Sequence, residues 1–334
     1  MSDGTSKPAP AQATDASGAE ASSGDIVQRP VVAILGPTAS GKSDLGIAIA
    51  LARGGEIVNL DASQVYRGMD IGTAKTPIEA RRGVTHHLLD VLDVHASASV
   101  AEFQRLARAA IANVRSRGAL PVCVGGSGLY VRAVLEDLEF PGTDPVVRER
   151  LERELAALGA AAMHARLAAV DPRAAEAILP GNTRRVVRAL EVIELTGEPF
   201  IATLPAHGRL EEDVRVGLDV PRDVLVERIT ARVQRMWSEG LVDEVRALES
   251  MGLREGRTAS KALGYQQVLA YLAGECTETE ALEATVQGTV RFARRQMQWF
   301  RRDPRITWLP YDAPDLVERA LVLVDAIDRT VAPR

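Results

Sequence analysis

The chain has 334 residues, 46% of them hydrophobic and 25% charged, with a formal net charge of −5. That composition suits a soluble globular protein of about two domains. It excludes a polybasic nucleic-acid binder, and no apolar run is long enough to span a bilayer, so no membrane role is expected and any RNA contact must come from local basic patches.

Residues 1–28 are rich in Ala, Ser, Gly and Pro, with almost no large apolar side chain. Such a segment buries too little surface to offset its ordering entropy, so disorder is expected there, and it lacks the charged start and apolar stretch of a signal peptide. PVVAIL (30–35) is a continuous β-branched run, as in a strand buried on both faces. The glycine-rich segment 36–43 then opens a helix, SDLGIAIALA. A second strand is expected over EIVNLD (56–61), ending on Asp61, and a short third within HHLLDVLD (86–93). Residues 98–118 are amphipathic and end at a glycine, as a helix does. ALPVCVGG (119–126) reads as another buried strand running into GSGLYVRAVLEDL. Strands alternating with helices predict an α/β fold, a P-loop NTPase-like parallel sheet flanked by helices.

After Gly142 the pattern becomes helical, with no strand signal over 143–198. VRVGLDV (214–220) alternates as a strand and precedes a helix starting at Pro221. Helices are expected at 241–250, 261–273 and 278–302, and RITWL (305–309) as a last strand. The expected organisation is a catalytic core of 29–142 plus 199–334, interrupted by an all-helical insertion at 143–198. Cys123 and Cys276 form no metal or disulfide spacing, which fits a reducing, cytoplasmic setting.

Gly36, Pro37, Thr38, Ala39, Ser40, Gly41, Lys42 and Ser43 match GxxxxGK[ST] between a strand and a helix. Glycines let backbone N–H groups face a phosphate, and the helix N-terminus adds partial positive charge. Lys42 adds a full charge, and Ser43 offers a hydroxyl to a magnesium ion bridging the phosphates. The loop does not say whose phosphates bind. A nucleotide kinase normally places its magnesium-ordering Asp at a strand end, yet PVCVGG ends in glycines and the candidate, Asp61, lies elsewhere.

The motifs GPTASGKS, DASQVYRGMDIGTAK (61–75), HHLLDV (86–91), GGSGLY (125–130), DPxxR (144–148), RRVVRALEV (184–192), RVQRMWSEGL (232–241), ALGYQQ (262–267) and ARRQMQWFR (293–301) occur in the order and spacing of tRNA dimethylallyltransferases. The chain resembles that family over residues 30–310. The resemblance implies transfer of a dimethylallyl group from dimethylallyl diphosphate to the exocyclic amine of the adenosine immediately 3′ of the anticodon. That amine's lone pair is delocalised, so it needs a base, for which Asp61 is the candidate. Lys42, magnesium and the loop amides would stabilise the departing diphosphate. The resemblance places the Thr38 hydroxyl at the bridging oxygen, and Arg232 or its neighbour Arg228 on the diphosphate, with Arg232 favoured. Two residues depart from the family pattern. Ala62 stands where Ser is usual and brings no hydroxyl, whereas Ser127 stands for Thr and keeps the hydroxyl of a catalytic or RNA-facing group. In the alternative reading Asp61 caps the following turn, and Arg228 and Arg232 form a solvated helix face.

The partner implied is tRNA, through its anticodon stem-loop, bound by a monomer. Its target base must leave the stack to meet the diphosphate. Asp61, Ala62, Ser63 and Gln64 are expected at that base, with Gln64 reading its edge, and Ser127 beside them. Arg148, Arg184, Arg185 and Arg188 are expected to bind RNA from the helical insertion. So are Lys261, Gly264 and Tyr265, and the stretch 291–305, where Arg291, Arg294, Arg295, Arg301, Arg302 and Arg305 face a single acid, Asp303. Arg291, Arg294, Arg295, Gln298, Arg301 and Arg302 recur at helical spacing. Gln296 and Trp299 belong to the same expected RNA site, although Trp299 and Tyr265 also read as core residues. His86 and His87 carry no metal-ligand pattern and are expected to be structural. A P-loop nucleotide kinase lacks the YRGMDIGTAK run. An adenylate isopentenyltransferase would need neither the insertion nor the basic helix, and a GTPase-like switch would carry NKxD.

Overall fold

The computed structural model describes residues 29–96, 99–200, 208 and 212–331, so the tail over 1–28 and Ala98 lie outside the described residues. Along the chain run β1 (Val31–Leu35), α1 (Lys42–Arg53), β2 (Gly55–Asn59), β3 (His86–His87), α2 (Val100–Ser116), β4 (Leu120–Gly125) and α3 (Gly128–Leu135). Then come α4 (Pro145–Val170), α5 (Pro172–Ala177), α6 (Thr183–Thr196), β5 (Asp213–Asp219), α7 (Arg222–Ser238), α8 (Leu241–Glu249), α9 (Tyr265–Leu272), α10 (Glu278–Phe300), β6 (Ile306–Pro310) and α11 (Leu316–Val331).

The strands form one parallel sheet in the order β3-β2-β4-β1-β5-β6. β1 is unbroken in apolar residues because it is covered on both faces. Val31, Ala33 and Leu35 pack into the layer of α2, α3, α8 and α9, while Val32 and Ile34 pack into the layer of α1 and α11. Each Val, Leu or Ile among them, fully buried, stabilises the fold by roughly 1.5–3 kcal/mol. The helix α11 lies beyond the elements expected from the sequence. Val317, Ala320, Leu321 and Val324 recur on one of its faces and cover Val32, Ile34 and Leu218. β2 also stops earlier than expected, at Asn59, so Asp61 sits in the turn beyond the strand rather than at its tip.

Helices α4 to α6 bury an apolar cluster of their own around Leu151, Met163, Leu167, Val186 and Leu190. Asp144 caps α4 by accepting from the N–H of Val146 and Val147, with Pro145 in the first turn, which gives the DPxxR motif a local structural reason. On α10, Thr277 and Glu280 form a capping box. The His pair is structural: His86 Nδ1 lies 2.9 Å from the Val84 carbonyl, and His87 pairs with Glu56 at 2.6 Å.

Candidate active site

The GPTASGKS loop joins β1 to α1 at the carboxyl end of the sheet. Lys42 donates to the Pro37 carbonyl at 2.5 Å. The residue keeps some exposed surface, but its ammonium group is enclosed by protein; that burial and the nearby Arg232 charge outweigh Asp61 and lower its pKa to about 7. Arg232, on α7, donates to the Thr38 hydroxyl at 3.3 Å. Its own pKa is lowered by burial and by Arg235, against the pull of Asp44 and Asp61. Arg228, one turn earlier, instead lies over the Tyr311 ring at 4.3 Å. The structure thus brings Arg232, and not Arg228, to Thr38. Ser43 is exposed at the start of α1. Ser40 is buried, and among the described residues its hydroxyl has no hydrogen-bond partner.

Asp61, in the turn beyond β2, is close enough for its charge to act on Lys42, Arg232 and Tyr130. The turn is held by Asn59, whose side chain accepts from the Asp61 N–H at 3.0 Å and donates to the carbonyls of Asp61 and Leu88. One carboxylate oxygen of Asp61 accepts from Ser63 N–H at 2.9 Å, so the residue does cap its turn. The Gln64 amide donates to the Thr73 carbonyl at 3.0 Å. Ala62 and Ser63 lie between them, half-buried, and Ser127 is half-buried ahead of α3.

The expected RNA residues divide. Arg184, Arg185, Lys261, Arg291, Arg294, Arg295, Gln298 and Arg302 are exposed. Arg301 is exposed too, but it pairs with Asp219 at 2.5 Å and stacks on Trp308. Several expectations are corrected. Tyr265 is fully buried and donates to Glu244 at 2.5 Å, and Gly264 is buried ahead of it. Gln296 is buried, with both ends of its amide on protein backbone. Trp299 packs on Gly128 with Phe300 edge-on at 5.9 Å, so it extends the core instead of offering a stacking face. Arg148 and Arg188 converge on Glu191, a fully buried carboxylate that needs their charge. Arg305, counted in the basic stretch 291–305, is partly buried and joins Glu136, Asp303 and Arg215.

A family model described as IPP transferase matches residues 64–303. The chain belongs to the IPP transferase family. It is 64% identical over 299 residues to the tRNA dimethylallyltransferase of Thermobifida fusca, covering 88% of this chain and 94% of that one. It is 62% identical over 301 residues to that of Streptomyces avermitilis, covering 90% and 96%. The crystal structure of the tRNA isopentenylpyrophosphate transferase of Bacillus halodurans is 41% identical with a TM-score of 0.66, covering 91% of this chain and 97% of that one. A eukaryotic dimethylallyltransferase acting on tRNA, 23% identical, shares the fold at a TM-score of 0.77, covering 90% and 80%.

Within this IPP transferase several residues that organise the site lack an obvious sequence signal. Glu244 on α8 accepts from the N–H of Asp70 at 3.1 Å, Ile71 at 2.7 Å and Gly72 at 3.2 Å. Lys75 is buried and donates to the Tyr66 carbonyl and to the carboxylates of Asp70 and Asp90. Together they fix the YRGMDIGTAK loop, whose Thr73 carbonyl in turn holds Gln64. A lysine inside that run and a polar Asn closing an apolar strand are the available hints. Glu244, by contrast, sits on an ordinary-looking helix, 172 residues from Gly72.

Proposed function

We propose that this chain transfers a dimethylallyl group from dimethylallyl diphosphate to the N6 amine of adenosine 37 of tRNA, immediately 3′ of the anticodon. One observation carries the reading: Arg232 bonds the Thr38 hydroxyl, and Lys42, Arg232 and Asp61 lie close enough together for their charges to act on one another. Asp61 accepts a proton from N6 as the nitrogen lone pair attacks the allylic carbon. The allylic C–O bond breaks, and its electron pair leaves on the bridging oxygen of diphosphate, beside the Thr38 hydroxyl. Lys42 and Arg232 stabilise that charge at fixed positions, without reorganising during the reaction.

Among the described residues no cluster of three His, Cys, Asp or Glu side chains is placed to hold a metal unaided. The exposed Ser43 hydroxyl is a hard oxygen donor, which fits magnesium carried mainly by the diphosphate and water. When bound, magnesium neutralises charge on the leaving group. The exposed arginines of α10 and of the start of α6 hold the RNA backbone while the base is extruded into the site. The active form is a cytoplasmic monomer in this reading, and among the described residues no helix is long and apolar enough to cross a membrane.

The test is a transfer assay with labelled dimethylallyl diphosphate, magnesium and an anticodon stem-loop, with AMP and ATP as alternative acceptors. Label in the stem-loop alone supports the proposal. Label in AMP moves the acceptor to a free nucleotide, and phosphoryl transfer from ATP without prenyl transfer overturns the reading.

A further inference from the structure

We propose that Gln296 is a positioning residue that ties the phosphate loop to the turn between β4 and α3, and so sets Thr38 for the departing diphosphate. The inference rests on the transfer reaction above and adds to it a residue on the far side of the loop.

Gln296 lies on the inner face of α10, 7% exposed. Its Oε1 accepts from the Thr38 N–H at 3.0 Å, and its Nε2 donates to the Gly126 carbonyl at 2.7 Å. Backbone N–H groups of a phosphate loop ordinarily point at the anion. Here the Thr38 N–H is turned to Gln296, which leaves the hydroxyl as that residue's group for the site. The hydroxyl is held in turn by Arg232 at 3.3 Å. Thr38 is therefore gripped by two helices, through its backbone from α10 and through its side chain from α7.

The turn is shaped to receive the same helix. A Cβ on Gly126 would lie 2.5 Å from Gln296 Nε2 and 3.2 Å from the Gly36 carbonyl, and one on Gly128 would collide with the Trp299 ring. Gln296 and Trp299 are three residues apart, hence on one helix face. The glycines of GGSG thus admit the close approach of α10. The outer face of that helix carries Arg291, Arg294, Arg295 and Arg302, all exposed. One amide accordingly couples the helix that faces RNA to the loop that faces diphosphate.

A buried amide that merely stabilised the docking of α10 would make the same contacts, so the test must read Thr38. The full-length wild type, Gln296→Met, Thr38→Ala and the double variant are compared, each first checked by thermal unfolding. Methionine keeps the volume and removes both hydrogen bonds. The expected result for Gln296→Met is a fall in kcat of about tenfold or more, with KM for the stem-loop changed less than about threefold. In the Thr38→Ala background the same substitution adds less than about threefold, because its route to the reaction is already gone. Inorganic pyrophosphate with magnesium, titrated by calorimetry, binds Gln296→Met about tenfold more weakly. A raised KM for RNA with kcat kept, multiplying effects in the double variant, or unchanged pyrophosphate affinity overturns the proposal.

If Gln296→Met fails to fold, Gln296→Glu decides. Its protonated carboxyl reproduces one donor and one acceptor, so pyrophosphate affinity relative to wild type recovers as pH falls. A ratio flat with pH overturns the proposal. The pyrophosphate measurements need no prenyl transfer. A wild type that labels no RNA would therefore refute the proposed function while still testing Gln296.

Discussion

Tyr265 donates its hydroxyl hydrogen bond to Glu244 at 2.5 Å, and the same carboxylate collects the N–H groups of Asp70, Ile71 and Gly72. Burial, followed by the Glu244 charge, pushes the Tyr265 hydroxyl far above its ordinary pKa, so it remains a donor at any working pH. The residues that carry the family's most specific run are thus held by a helix that touches none of the expected chemistry. Glu244→Gln sets an amide NH2 among those donors and is expected to lower stability by about 1–3 kcal/mol. Tyr265→Phe removes one bond at constant shape and is expected to cost about 1 kcal/mol. Urea unfolding measures both, and a larger loss for Tyr265→Phe than for Glu244→Gln would contradict this account of the loop.

Lys42 gives a pH-dependent signature. Its pKa is about 7 in the protein, against 10.5 ordinarily, so at pH 8 the ammonium has lost most of its proton. In the proposed site a bound diphosphate is expected to restore the charge. Pyrophosphate binding at pH 8 is expected to take up about one proton more in the wild type than in Lys42→Met, and at pH 6 the difference should approach zero. Calorimetry in buffers of different ionisation enthalpy reads the uptake. The stability linkage has a definite sign as well. Between pH 7 and 10.5 the unfolded chain binds more protons at this lysine, so its penalty on folding is full below pH 7 and is relieved as pH rises toward 10.5. A proton count equal in wild type and Lys42→Met at pH 8 would show that Lys42 is already charged.

The parts of this architecture that the sequence makes legible are those encoded locally. The β1 run, the phosphate loop and the capped, periodic α10 each show in a short window. The meeting of Thr38 with Arg232 does not, because 194 residues separate them and only the family resemblance suggests it. Aromatic residues are ambiguous for a different reason. Tyr265 and Trp299 suit a stacking platform and a core equally, and what decides is the neighbour: Glu244 waiting for the hydroxyl, Gly128 leaving room for the indole. Gln296 falls in a polar stretch of sequence, and periodicity gives a helix's faces without saying which one points inward. The helix α11 is encoded locally as well: Asp315 stands just before Leu316 with Glu318 three residues on, a helix-start pattern followed by apolar spacing, although the elements expected above end with the last strand.

Asp61 has two jobs that one substitution can separate. It caps its turn through Ser63 N–H, and in the proposed reaction it accepts the N6 proton. Asp61→Asn keeps an oxygen for the turn and removes the basic carboxylate. The expected outcome is a loss of transfer of about 10²–10⁴-fold with a thermal midpoint close to wild type. Asp61→Ala loses both roles and should also unfold at a lower temperature. Transfer assays and thermal unfolding of the pair check this, and an active Asp61→Asn enzyme would move the base elsewhere.

The arginines between 291 and 305 share a composition but not a role, and salt separates them. Arg294 and Arg295 are exposed on α10, whereas Arg305 is bonded to Asp303 and Glu136 beside the buried Arg215. Burial would raise the Asp303 pKa, but hydrogen bonds from Arg305 and the charges of Arg215 and Arg305 outweigh it and lower the value to about 2. That carboxylate therefore stabilises the fold above the ordinary pKa of 3.8, and the contribution is lost as pH falls toward 2. Replacing both Arg294 and Arg295 by Ala is expected to weaken stem-loop binding and to reduce the slope of log K against log salt by about 0.7 for each phosphate no longer neutralised. Stability should change little. Arg305→Ala should do the reverse, leaving two carboxylates under-compensated at a cost of about 3 kcal/mol while the salt slope stays within error. Filter binding across a salt series, with denaturant unfolding in parallel, distinguishes the two classes. A salt slope lowered by Arg305→Ala would return that residue to the RNA-facing surface.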